Sequence, residues 1–271
     1  MSTAPIPWWT ATWERARERH PGLARCVQPV LAVWTELSRI ELVDRSLALG
    51  AQALLALIPL LMVLSVAAGH IGADGLAQVR DVMGVPEDEL GALVTQVERT
   101  TPDTTTLSVV VALLSATSFS RALARMYAQV WQLERYRGLR AIRGSVVWLV
   151  GWILMLQATA ALIGWSAPVP ISSLLIQLVG TSLIWWWTAH LLLGGRVSWW
   201  RLLPGGVATG ALLVAFSQLS HLFMPAYTRA NLAQFDSLGI VFAIASWLVA
   251  FGGVLTVAAV AGRLVADLVD R

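Results

Sequence analysis

Ser217 and His221 stand four residues apart inside a long apolar run, a spacing that brings a hydroxyl and an imidazole onto one face of a helix. A nucleophile beside a base at membrane depth would suit acyl transfer within a bilayer. The same two residue types are also common interhelical hydrogen-bonding groups, and that reading is preferred. Gln218 extends the pair into a polar patch, and Gln52, Gln157, Gln177 and His190 interrupt other apolar runs. Polar groups in hydrocarbon are costly and often mark a pathway, so Gln52, Gln157, Ser217, Gln218 and His221 are the candidates for lining a path or bridging helices. His190 falls close to the cytoplasmic end of its run.

The search for catalytic motifs is otherwise negative. There is no His-Glu-x-x-His pair, no Cys-x-x-Cys and no Gly-x-Ser-x-Gly elbow, and all nineteen basic residues are arginine, which removes a lysine-bearing phosphate loop. Glu87, Asp88 and Glu89 are consecutive, a poor spacing for one metal ion and a better one for a solvated helix start. The single cysteine, Cys26, cannot form an intrachain disulfide. The expectation is a protein with no enzymatic activity, cofactor or metal.

The elements that carry these residues are dictated by hydropathy. Of 271 residues, 57% are hydrophobic and 13% charged, and the mean hydropathy is +0.68, too apolar for a soluble domain that must cover its own core. A span needs roughly 20 apolar residues, because backbone groups in lipid must be satisfied within the helix. Six stretches qualify: 46–68, 104–120, 145–165, 171–193, 202–224 and 238–261. The second is short before Arg121, but Leu123, Met126, Tyr127 and Val130 continue its apolar stripe, so that helix is expected to run on into the cytoplasm.

Arginine placement sets direction. Sixteen arginines fall in the N-terminal arm, the 121–143 connection, the 194–201 loop and the tail, against three on the opposite side, so both termini are expected in the cytoplasm. The pI near 9.7 therefore reflects topology, and no nucleic-acid partner is implied. The expected architecture is an all-α polytopic protein of the plasma or inner membrane. It comprises an arm at 1–45, a six-span domain at 46–261 with an acidic helical external loop at 70–103, and a tail at 262–271. The arm lacks the features of a cleaved signal peptide.

Within the arm, Val30, Leu31, Trp34, Leu37, Ile40 and Leu42 recur at mainly helical spacing over 27–43, an interfacial helix on the cytoplasmic leaflet. Tryptophans near span ends, among them Trp165, Trp185, Trp186, Trp187, Trp199 and Trp200, read as headgroup anchors. Pro59 sits inside the first span. Pro204 opens the fifth, where Gly206 and Gly210 have the spacing of a close helix contact. Arg135, Arg137, Arg140 and Arg143 form a basic cluster suited to topology anchoring and to anionic lipid.

In its order of features the chain resembles the YihY/BrkB family of envelope proteins, once misnamed as a ribonuclease. The resemblance runs from about Val27 to Gly262. It rests on Leu47-Ala48-Leu49 through Ile58-Pro59-Leu60, on the external loop, and on Trp131 after the second span. It rests also on Trp199-Trp200-Arg201-Leu202-Leu203-Pro204-Gly205, on Phe235-Asp236-Ser237-Leu238-Gly239, and on Trp247. Gln52, Asp236 and Val260 depart from the family pattern. The resemblance implies a role in envelope integrity with membrane lipids, or a lipid-linked envelope molecule, as partner. The ribonuclease label finds no support in these residues, because most acids outside the arm fall on the external side. Two functions follow as expectations: movement or accommodation of an amphipathic envelope molecule, and a scaffold acting through the acidic loop.

Overall fold

The computed structural model describes residues 31–68, 105–134, 147–152, 170–236 and 238–270, with isolated positions 84, 144 and 154; along 57–68, 105–116 and 170–173 the backbone alone is described. Within these residues the chain is all-helical. The elements are α1 (31–39), α2 (Leu42–Ala68), α3 (Thr105–Val130), α4 (147–152), α5 (Pro170–Leu192), α6 (Trp199–Phe235) and α7 (Leu238–Val269).

The helix expected over 27–43 ends earlier. It stops at residue 39, and the chain reorients at Ile40 and Glu41 before α2 begins at Leu42. Glu41 takes φ 56, a left-handed conformation that ends a helix, while Ile40 is buried and pins the turn. At the other joint, Gly194 (φ 63) and Gly195 (φ 71) donate their amides to the Leu191 and His190 carbonyls at 2.9 and 3.1 Å, closing the end of α5.

Among the described residues, α5 from Leu174 onward, α6 and α7 are long and apolar enough to cross a membrane. Only 22%, 22% and 33% of their apolar windows are buried within the protein, which leaves a large hydrophobic surface facing outward, as lipid requires and water does not tolerate. The 37 residues of α6 rise about 55 Å, well beyond the roughly 30 Å of a hydrocarbon core. Its helix continues unbroken through Pro204 and Pro225, eleven residues past the expected end at Met224. α3 likewise runs through Arg121 and Arg125 to Val130, with Leu123, Met126, Tyr127 and Val130 all buried.

The helices close a ring in chain order. α2 packs on α3 and α7, α7 on α6, α6 on α5, and α5 more lightly on α3. α4 fills the remaining place: Trp148 meets the Phe119 ring of α3 and donates its indole N–H to the Thr188 hydroxyl of α5 at 3.1 Å. Small residues permit the closest approaches. α6 meets α5 where Gly206 faces Trp186 and Gly210 faces Ser182, and meets α7 where Gly205 abuts Gly262.

The main buried cluster of the described residues lies toward the end that bears the start of α2 and the end of α7. It gathers Leu37 and Ile40, Leu49 of α2, the C-terminal part of α3, Trp148, the C-terminal part of α5, Leu202 at the start of α6, and Leu255, Ala259 and Val260 of α7. A second, smaller cluster of described residues, Met224, Ile240 and Ala243, joins α6 and α7 toward the far end. Trp185 corrects the anchoring expectation. It is 2% exposed and turned into the ring between Trp152 and Phe251, because the bundle must fill its own centre, whereas Trp200, at 78% exposed, keeps an outward position.

Candidate functional site

Among the described residues the densest polar constellation lies where four elements, α1, α3, α6 and α7, meet. Arg263 of α7 is the hub. Its guanidinium donates to the Val130 carbonyl at the end of α3 and pairs with Asp267 at 3.4 Å and with Glu36 of α1 at 3.8 Å. With the Gln132 amide turned so that its oxygen faces Arg263, that oxygen accepts at 3.2 and 3.3 Å. Arg39 holds Glu36 at 2.7 Å from within α1.

Arg201, in the first turn of α6, pairs with Asp267 at 2.9 Å and Asp270 at 2.7 Å, and its guanidinium carbon lies 5.4 Å from the Trp131 ring centroid. Arg196 in the α5–α6 loop donates to the Glu134 carbonyl at 2.7 Å. The result is an alternating lattice of Arg39, Glu36, Arg263, Asp267, Arg201 and Asp270 that ties α1, α6 and α7 together and laces them to the end of α3. The carbonyl of Val130 belongs to the orphan acceptors of a helix C-terminus, so a cation is the natural group to cover it.

More than three turns back along α3 from Val130, Gln52 of α2 is half-buried against α3. In the amide orientation that satisfies both of its atoms it donates to the Ser118 carbonyl at 2.6 Å and accepts from Arg125 at 3.3 Å. A charge-bearing contact thus links α2 to α3 beneath the lattice. His190 stacks on Trp199 with ring centroids 3.9 Å apart, and the Trp186 indole donates to the Trp199 carbonyl at 2.7 Å; together they fix the α5–α6 loop.

The remaining sequence candidates are dispersed. Ser217 is half-buried, Gln218 and His221 are exposed, and no hydrogen bond joins Ser217 to His221. At a rise of ~1.5 Å per residue His221 stands about 30 Å from Arg201, one hydrocarbon thickness away, so if Arg201 lies at one headgroup level His221 lies at the other. The buried polar contact in this region belongs instead to Ser220, which accepts from the Trp247 indole at 2.8 Å. Gln177 is half-buried in α5. Pro59 lies within continuous α2, and Pro204 within the first turns of α6. Gln157 and the cluster of Arg135, Arg137, Arg140 and Arg143 lie outside the described residues, as does the 70–103 loop except Gly84, which rests against Pro225.

Arg263, Asp267, Arg201 and Glu36 are missed by reasoning about polar residues within spans, because the first three sit at span ends and Glu36 lies in α1 before the first span. The signal that does exist for them is local: Arg39 with Glu36 at i, i+3 and Arg263 with Asp267 at i, i+4.

The family model described as virulence factor BrkB matches residues 33–267. The chain belongs to the BrkB family. Neither the curated proteins nor the solved structures yield a match. In this BrkB-family chain the match opens at Val33 in α1 and closes at Asp267 in α7, so it takes in the whole described ring and most of the lattice. Family and apolar helices together make this a membrane protein.

Proposed function

We propose that this BrkB-family protein crosses the plasma or inner membrane six times with both termini in the cytoplasm, and that it moves or accommodates an amphipathic envelope molecule, a lipid or a lipid-linked compound, without enzymatic chemistry. The observation that carries the reading is the outward-facing apolar surface of α5, α6 and α7, interrupted on α6 by exposed polar side chains. Among the described residues, the end bearing both the start of α2 and the end of α7 is closed by the buried cluster and capped by ion pairs. The polar side chains Gln218 and His221 stand exposed on α6 beyond the seal, among Leu219, Leu222 and Phe223, a mixture suited to an amphipathic guest.

Outward movement of fluorescent envelope lipids in a strain lacking the protein tests the proposal. Slowed movement and raised sensitivity to detergent, both restored by the wild-type chain, are the expected results. Normal lipid movement together with normal detergent sensitivity would overturn it.

A further inference from the structure

The break at Ile40 and Glu41 between α1 and α2 leaves a notch of about 280 Å³. Its walls are Trp34, Leu37, Leu42 and Val43, and its rim carries Glu41 and Asp44. Both carboxylates are exposed, and among the described residues neither takes part in an ion pair, in contrast to Glu36 one turn away, which Arg39 and Arg263 neutralise. Among the described residues no basic side chain lines the notch.

We propose that this notch binds an amine-headed lipid, of the phosphatidylethanolamine type, at the headgroup level of the membrane. The reading rests on the placement of the chain in a membrane proposed above. Charge selects the occupant: the described lining holds two carboxylates and no basic side chain, Arg45 next to Asp44 having its Nε buried away from the notch, so the site attracts an ammonium and repels an anionic lipid. The indole of Trp34, 61% exposed, lines the same notch, where an ammonium can meet an aromatic ring. The volume is at the small end of ligand pockets, enough for a headgroup and the first methylenes of a chain. Val43, Leu47 and Leu55 follow at intervals of four and eight residues on one exposed face of α2, an apolar strip that leads away from the notch and along which the rest of an acyl chain can lie.

Native mass spectrometry of the purified full chain tests the site, with phosphatidylethanolamine and phosphatidylglycerol supplied at equal mole fraction. The wild-type chain is expected to retain the ethanolamine lipid about tenfold better, and the E41Q/D44N double variant to bring the ratio near one. Asp44→Asn alone, at an exposed position, is expected to lower the ratio several-fold, and serves if the double variant folds poorly. Equal retention of the two lipids by the wild-type chain, or an unchanged ratio in the variants, would overturn the site. Retention is read without any movement of lipid, so the two ideas fail separately. Slowed lipid movement in the deletion strain with no headgroup preference removes the notch alone, and a clear preference with normal movement and normal detergent sensitivity in that strain removes the transport reading alone.

Discussion

Replacing Arg263 with Met is expected to destabilise the protein more than replacing Arg201 with Met, although the ion pairs of Arg201 are the shorter ones. Arg201 reaches Asp267 and Asp270 at 2.9 and 2.7 Å, whereas Arg263 reaches Asp267 and Glu36 at 3.4 and 3.8 Å. Distance alone ranks Arg201 first, and burial reverses the order. The Arg201 side chain is 42% exposed, so solvent and salt screen its pairs to a few tenths of a kcal/mol each; with the Trp131 contact the loss on substitution is about 1 kcal/mol.

Arg263 is 18% exposed and covers the Val130 carbonyl, an acceptor that nothing in its own helix can satisfy. A hydrogen bond from a charged donor contributes roughly 1.5–3 kcal/mol, and leaving that carbonyl uncovered adds to the loss, so Arg263→Met should cost about 3 kcal/mol. Methionine retains an aliphatic stem in both variants, which keeps packing comparable. Unfolding in mixed micelles, followed by tryptophan fluorescence as denaturing detergent rises, measures the difference of about 2 kcal/mol. High salt should shrink the Arg201 effect and leave the Arg263 effect nearly whole. Equal losses, or a larger loss for Arg201→Met, would refute the argument that burial outweighs distance here.

Other substitutions probe the packing and the path. Gly262→Ala should break the α6–α7 crossing, since the new methyl would collide with the Gly205 backbone, while Gly205→Ala, whose methyl would meet Gly262 at 3.8 Å, should be tolerated; the monodisperse fraction after purification separates them. Trp148→Phe and Thr188→Val should each cost about 1–2 kcal/mol by leaving one buried partner unsatisfied, and the double variant should cost less than their sum, as measured in the same micelle titration. His221→Ala, at an exposed position, should change stability by less than about 0.5 kcal/mol. If the lipid path runs along this face of α6, the same variant should fail to rescue a deletion strain at normal protein level, and full rescue would take His221 off the path.

The helices were legible because their cause is local. An apolar run such as 238–261 has one stable solution in lipid, and the stripe Leu123, Met126, Tyr127, Val130 carries α3 past two arginines by periodicity alone. The spacing of Gly206 and Gly210 likewise points to a close contact in advance, though not to Ser182 and Trp186 as the surfaces met. The lattice was not legible. Arg201 and Asp267 are separated by 66 residues, and Arg263 and Val130 by 133, so no window of sequence holds both partners. Counting arginines by side weighs each of these residues for topology and says nothing about pairing. The break at Glu41 also escaped, because a glutamate with φ 56 carries no turn signal of the kind that Gly194 and Gly195 provide. Trp185 shows the limit of reading tryptophan by position: Trp185 and Trp186 are neighbours, yet a helix turns them by about 100°, one to the ring's interior and one to the loop.

Labelling of single cysteines in intact cells tests the central claim most directly, with Cys26 first replaced by serine and a membrane-impermeant maleimide as the probe. A cysteine at Gln234, exposed near the far end of α6, should react from outside, while one at Asp270, beside the lattice after α7, should react only once the membrane is permeabilised. Labelling of position 270 in intact cells, or identical behaviour of the two positions, would contradict a ring that spans the bilayer with its sealed end in the cytoplasm.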